Sequence, residues 1–348
     1  MNAFDGGSGE PKGSQKKSSF SFSDEVREEF LKKQYGLVGN HSAVQVCGWT
    51  KRILRGKGAC YKQKFYGADT ASCAQMSPVA AWCSQNCIFC WRPMEWMGFK
   101  QMKKNEVDSP EKIIEGTVIA KRKLISGMGG AEDVNEDLFR KVLDSFPAHW
   151  AISLSGEPTL YPKLPEMIKL LKENKEVKTV FLVTNGQELE MLLRLKNENA
   201  LPTQLYLSVD ASDKKTFDMV NVPVYPDGWE RINKTLSEIA DFPCRRVIRF
   251  TVIKGINDLD SMFPEYGKMF EKSGADFIEI KAYMHLGYSR KRLDAENMPT
   301  HEEIRELGKK LLKYLPDYSM EDEQVVSRII LLKNKKSKYK NIIETVDG

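Results

Sequence analysis

Downstream of about residue 76 the chain alternates between short apolar runs and longer stretches whose apolar residues recur every three or four positions. The runs PVAAW (78–82), HWAISLS (149–155), VKTVFLVTN (177–185), TQLYLSVD (203–210), RRVIRFTVI (245–253) and ADFIEIKAY (275–283) have the length and composition of strands. Between them, SPEKIIEGTVIAKRKLI, EDLFRKVLDSF, LPEMIKLLKEN, ELEMLLRLKN, WERINKTLSEIADF and HEEIRELGKKLLKYL carry the helical period. In the first of these Ser109 is placed to cap and Pro110 to take the first helical position. Strand and helix alternating six times predict an α/β fold with parallel strands and helices packed outside. The pattern leaves open whether the sheet is doubly wound or curved into a partial barrel. No G-x-G-x-x-G follows the first strand, which counts against a dinucleotide-binding domain.

Upstream, residues 1–22 are rich in Gly, Ser and Lys and are expected to be a disordered tail. Ser23 then caps a helix through DEVREEFLKKQYG. The net charge of +5 names no partner by itself, since binding depends on where charge sits. No run of about 18 apolar residues appears, so no membrane span is expected. The N-terminus lacks the apolar core of a signal peptide, and a cytoplasmic protein, acting as a monomer, is the expectation.

Disulfides are rare in that compartment, so seven cysteines point to metal or chemistry. Six of them (Cys47, Cys60, Cys73, Cys83, Cys87, Cys90) lie within the first 90 residues, while Cys244 reads as an ordinary buried thiol. Cys83-Ser-Gln-Asn-Cys87-Ile-Phe-Cys90 sets three thiols in one tight loop after a strand. Electron-transfer clusters take four protein thiolates; three leave one iron open for a substrate or cofactor. A structural zinc site is the alternative, but it favours paired C-x-x-C knuckles and a fourth ligand, and neither is visible.

At these residues the sequence resembles the radical S-adenosylmethionine superfamily, whose signature is C-x-x-x-C-x-x-C with an aromatic residue before the last cysteine, here Phe89. Ser155-Gly156-Glu157-Pro158 looks like that superfamily's motif for the cofactor's amino group, with Ser in place of the commoner Gly. Thr184-Asn185-Gly186, Ser208 with Asp210, and Val252 to Asn257 fall where its members contact ribose, carboxylate and adenine. The resemblance implies a 4Fe-4S cluster held by Cys83, Cys87 and Cys90, and S-adenosylmethionine bound by Glu157, Thr184, Asn185, Ser208 and Asp210.

Cys47, Cys60 and Cys73 are separated by twelve residues each, a spacing that fits no helix or strand face, so they are expected to converge through loops. With Cys60-Tyr-Lys62-Gln-Lys64-Phe-Tyr-Gly67 and Cys90-Trp91-Arg92-Pro93, they are similar to the tRNA 4-demethylwyosine synthases in their stand-alone archaeal form. That resemblance covers roughly residues 25 to 335. It implies a partial (β/α)6 TIM-type barrel and a second 4Fe-4S cluster on Cys47, Cys60 and Cys73. It implies also that 1-methylguanosine at tRNA position 37 condenses with carbons of pyruvate, fed by an electron donor of flavodoxin or ferredoxin type. Lys62 is then the candidate for a Schiff base with the keto carbon, its rival role being a plain positive charge. The implied organisation is a tail (1–22), an extension carrying the second cluster (23–75), the barrel (76–320) and a basic C-terminal segment (321–348).

Two basic stretches suit RNA phosphates: Lys51, Arg52, Arg55 and Lys57, and Lys333, Lys335, Lys336, Lys338 and Lys340 with Tyr339 interleaved. Arg92 is expected to contact substrate or pair with a surface carboxylate, and Trp91 and Trp96 are candidates for stacking an unstacked base. The competing readings are another radical RNA-modifying enzyme, such as a methylating one, and a zinc-stabilised RNA-binding protein without catalysis.

Overall fold

A computed structural model describes residues 20–344; the expected tail lies outside these residues except for 20–22. Those three are not loose, because Phe20 and Phe22 are buried and pack their rings on Trp82. Helix α1 (Asp24–Lys32) follows, capped by the Ser23 hydroxyl, which accepts from the Val26 N–H as the sequence predicts. Two short strands, β1 (Gly36–Val38) and β2 (Ser42–Gln45), pair antiparallel. Two short helices, α2 (Gly48–Ile53) and α3 (Tyr61–Tyr66), lead into β3 (Cys73–Ser77).

Six parallel strands then succeed one another: β3, β4 (His149–Ile152), β5 (Thr179–Thr184), β6 (Gln204–Ser208), β7 (Arg245–Val252) and β8 (Phe277–Ala282). The connecting helices are α4 (Pro110–Ser126), α5 (Glu136–Asp144), α6 (Leu164–Glu173), α7 (Leu189–Asn197), α8 (Lys214–Val220), α9 (Gly228–Glu238) and α10 (Phe263–Lys272), with α11 (His301–Leu312) after β8. Ser109 and Pro110 open α4 as expected. An antiparallel hairpin, β9 (Tyr318–Gln324) and β10 (Ile329–Asn334), closes the order β1-β2-β3-β4-β5-β6-β7-β8-β10-β9. The two ends of this order do not pair among the described residues, so the sheet is a partial barrel.

Two sequence expectations are corrected here. The first parallel strand is Cys73–Ser77, not 78–82; Val79, Ala80 and Ala81 are buried in the turn beyond it. Cys73 therefore stands on a strand and not in a loop. The apolar run ahead of the C-terminal basic residues is the strand its composition suggests, β10, which pairs with β8 from Ile329 to Lys333. The Lys333 backbone is consequently part of the fold.

Residues facing the helices, among them Ile152, Val180, Leu182, Leu205, Ile248 and Ile278, form the main apolar core. The inward face has a second core in which α3 lays Tyr61, Phe65 and Tyr66 against Phe181, Tyr206, Val247, Phe277, Ile329 and Leu331. The helix thus fills one part of the concave side, and beside it the inward residues Ser208, Arg249 and Lys281 are only partly covered, which defines a lumen. Gly67 ends α3 at φ 77, the left-handed conformation that suits a helix stop without a side chain.

Candidate active site

The loop after β3 carries Cys83, Cys87 and Cys90, all unbridged. Its shape is fixed by backbone bonds from Cys83 N–H to Gly98 O (3.0 Å) and from Cys90 N–H to Cys87 O (3.0 Å). The Asn185 amide nitrogen lies 3.7 Å from Cys83 Sγ, and that of Asn221 the same distance from Cys87 Sγ. Arg292 straps the loop from outside, donating to the carbonyls of Ile88 (3.1 Å) and Cys90 and pairing with Glu95 at 2.7 Å. Burial pushes Cys83 and Cys87 well up and raises Cys90, where Arg92 and Arg292 oppose the rise. Such thiols lose their protons only to a cation that compensates the charge.

Among the described residues no three His, Cys, Asp or Glu side chains converge on a point that would hold a single ion. A lone zinc asks for that convergence, whereas a cubane takes each thiolate on a different iron. Three partly exposed, unbridged thiols on one loop, two of them facing amide donors, fit such a cluster.

The predicted cofactor-binding residues gather beside this loop. Glu157 is buried; its Oε1 accepts from Thr159 Oγ1 (2.5 Å), Thr159 N (3.1 Å) and Thr184 Oγ1 (2.7 Å), and its Oε2 accepts from Asn185 N at 2.8 Å. Burial raises its carboxyl while these donors oppose the rise. Gly156, at φ +70, brings its Cα against the backbone of Val79 and Trp82, the root of the cysteine loop. Asp210 accepts from Thr251 N (2.8 Å) and Asn221 Nδ2 (3.4 Å), and burial pushes it up to about 6. Asn257 is knitted to the Asp210 and Thr251 carbonyls, both at 2.9 Å. Ser208, half-buried, is in register with Arg249.

Cys47 caps α2, Cys60 precedes α3 and Cys73 opens β3. Thr70 ties the first two together, accepting from Cys60 N at 3.0 Å while its carbonyl accepts from the Thr50 hydroxyl, which itself meets Cys47 Sγ at 3.2 Å. Burial raises Cys60 to about 11 and Cys73 to about 12, and each also feels the charge of Cys47. Lys62 follows on α3 with its Nζ 4.3 Å from the ring centres of both Phe181 and Tyr206. Burial lowers its pKa, with Glu279, Cys60 and Cys73 opposing. A second amine, Lys121, is buried on α4 within reach of the charges of Cys73 and Cys47.

Arg92 does not pair with a surface carboxylate, one of the two roles expected of it. It is 2% exposed, its guanidinium lies 3.2 Å over the Trp91 ring, and its Nη1 donates to Tyr35 Oη and to Gln45 Oε1 (3.1 Å). Trp91 and Trp96 are largely exposed. Cys244 is buried in the main core as expected, and His285 meets the Tyr283 hydroxyl at 3.2 Å. The basic stretches are partly self-paired: Arg55 and Lys57 with Asp133, Lys336 with Asp317, Lys340 with Glu344. Sequence reasoning missed Asn221, Arg292, and the charges Arg249, Glu279 and Lys281 inside the barrel. The last three carried a signal, being charges in the middle of otherwise apolar strands.

A partial barrel of six parallel strands whose first strand ends in a three-cysteine loop defines the radical S-adenosylmethionine class. Residues 77–262 match the family model "Radical SAM superfamily", and residues 272–334 match "Wyosine base formation". The S-adenosyl-L-methionine-dependent tRNA 4-demethylwyosine synthase of Pyrococcus abyssi is 46% identical over 310 residues, 89% of this chain and 88% of that protein. Its namesake from Methanocaldococcus jannaschii is 39% identical over 89% of this chain and 96% of its own length. Among solved structures, one described as TYW1 with a lysine–pyruvate adduct bound superposes with a TM-score of 0.80 at 36% identity, over 92% of this chain and 99% of that one. The chain belongs to the tRNA 4-demethylwyosine synthase family. No helix among the described residues is long and apolar enough to cross a membrane.

Proposed function

We propose that this protein is a 4-demethylwyosine synthase that joins pyruvate carbons to 1-methylguanosine at tRNA position 37. The observation that carries the reading is the placement of Lys62 in the barrel interior, two residues after Cys60 and beneath the lumen that Ser208 and Arg249 line. Cys83, Cys87 and Cys90 hold one 4Fe-4S cluster, and Cys47, Cys60 and Cys73 hold a second. When bound, the first cluster and S-adenosylmethionine supply the radical that activates the N-methyl group.

The protein's own groups do the rest. Glu157, Thr184, Asn185, Ser208 and Asp210 position the sulfonium nucleotide beside the first thiol loop. The Lys62 amine adds to the keto carbon of pyruvate, water leaves, and the donor is held as an imine; burial lowers the pKa of that amine, the direction that favours attack. The adduct named for the superposable structure supports this chemistry. The electron donor is of flavodoxin or ferredoxin type, and the enzyme works as a monomer in the cytoplasm.

The test is to incubate the reduced holoenzyme with methylated tRNA, S-adenosylmethionine and labelled pyruvate. Label should appear in the tRNA and depend on both cofactors. Deoxyadenosine formation with no label in the tRNA would reject the pyruvate reading.

A further inference from the structure

Three cations face the same lumen from three different elements: Lys62 from α3, Arg249 from β7 and Lys281 from β8. Strand register sets Arg249 opposite Glu279 and places Lys281 opposite Thr251, two positions further along. The Lys281 Nζ lies 5.5 Å from the Tyr61 ring centre, and that of Lys62 stands over Phe181 and Tyr206. None of the three has an ion-pair or hydrogen-bond partner for its charged group among the described residues; the two lysines have ring faces as neighbours.

The carboxylate nearest to them is Glu279, which is fully buried. Its Oε1 accepts from the Tyr66 hydroxyl at 2.8 Å and its Oε2 has no partner. Tyr61, Tyr66 and Tyr206 are pushed up by burial and stay neutral, so they add no negative charge. Asp210 also bears on Arg249, and Cys60 on both lysines, but like Glu279 neither forms an ion pair or hydrogen bond with the three charged groups among the described residues. Burying unpaired cations is costly, and burial with the nearby Arg249 accordingly draws Lys281 down to about 8. All three are nonetheless partly exposed, open to solvent or to a ligand on the inward face of the barrel.

The geometry points to Arg249 and Lys281 as the seat for the carboxylate of a small 2-keto acid, holding its keto carbon toward the Lys62 amine. A guanidinium offers the planar fork that matches a carboxylate, and the ammonium supplies a second charge without fixing direction. The aromatic walls formed by Tyr61, Phe181 and Tyr206 suit a compact ligand with a short apolar end. The inference rests on the assignment of pyruvate made above and adds the residues that select it. A carboxylate also occurs on S-adenosylmethionine, and the experiment separates the two sources.

The holoenzyme and its R249K, R249Q and K281M variants are assayed for tRNA product with pyruvate and S-adenosylmethionine varied in turn. The KM for pyruvate should rise on the order of tenfold to a hundredfold in R249Q and K281M, and less in R249K, which keeps the charge. The KM for S-adenosylmethionine should stay near the unsubstituted value. Pyruvamide, the neutral isostere, should be a far poorer donor than pyruvate for the unsubstituted enzyme, and R249Q should erase most of that preference.

A readout apart from turnover is capture with cyanoborohydride. The amine adds to the keto carbon, water leaves, and hydride reduces the C=N bond to a stable secondary amine on Lys62. Capture should fall in the variants at low pyruvate and return at high pyruvate, which also shows that they are folded. Unchanged KM and unchanged preference, or a rise confined to S-adenosylmethionine, would overturn the seat. Should the unsubstituted enzyme capture no pyruvate at all, the parent assignment is what fails.

Discussion

Gly156 joins the fold to the first thiol loop, and replacing it with Ala tests that joint. At φ +70 an L-residue sits in the left-handed region, which costs about 1–2 kcal/mol. A Cβ built there would stand 1.8 Å from the Val79 carbonyl oxygen and 2.6 Å from that of Trp82. Both are backbone atoms, so no side chain can swing away. Relief requires moving the turn that leads to Cys83, and overpacking of that kind costs about 1–3 kcal/mol more. The same shift weakens the bond from Glu157 N–H to Trp82 O, now 2.8 Å. Gly156→Ala should therefore lose about 2–5 kcal/mol in denaturant unfolding. It should also lower the iron held by Cys83, Cys87 and Cys90 after anaerobic reconstitution, leaving that of the other thiol set less affected. A variant with unchanged midpoint and full iron content would show that the loop does not depend on this joint.

The remaining expectations concern chemistry, pH and RNA. Cys87→Ala should abolish deoxyadenosine formation from S-adenosylmethionine, and retained formation would remove Cys87 from the first cluster. Lys62→Arg keeps the charge but cannot make the imine, so labelled pyruvate should no longer enter tRNA; normal incorporation would leave Lys62 only its electrostatic role. His41 is buried and neutral, accepting from Asp108 N at 2.9 Å and meeting the Pro78 carbonyl at 2.7 Å, and burial holds its pKa below the ordinary value. The unfolded chain takes up a proton there first, so stability present above about pH 6.5 is lost as pH falls toward the folded pKa. His41→Gln should flatten that part of the urea-midpoint profile, and identical profiles would refute it. Lys338 and Lys335 changed to Glu should weaken tRNA binding and reduce its salt slope by roughly 0.9 for each phosphate that is no longer neutralised; an unchanged slope would place the RNA elsewhere.

What the sequence could and could not reveal follows from which physical signals are local. Caps are local, so Ser23 and Ser109 are legible, and so are the five strands whose outward faces are continuous apolar runs. β3 is hidden because its inward face is Cys73, Gln75 and Ser77, polar residues that line the lumen, while the buried turn beyond it is the more apolar stretch. β9 reads YSMEDEQ, an edge strand carrying charges that blunt further pairing, and no apolar alternation betrays it. The first thiol loop is compact in sequence and stands out for that reason. Thr50 and Thr70 draw the helix starts that carry Cys47 and Cys60 together beside the strand that carries Cys73, which no spacing rule encodes. The same holds for Arg249, Glu279 and Lys281: each is a lone charge in an apolar run, and only strand register turns them into a group. Their placement is therefore better evidence of function than their presence, since a fold that needed only stability would have filled those inward positions with the residues that surround them.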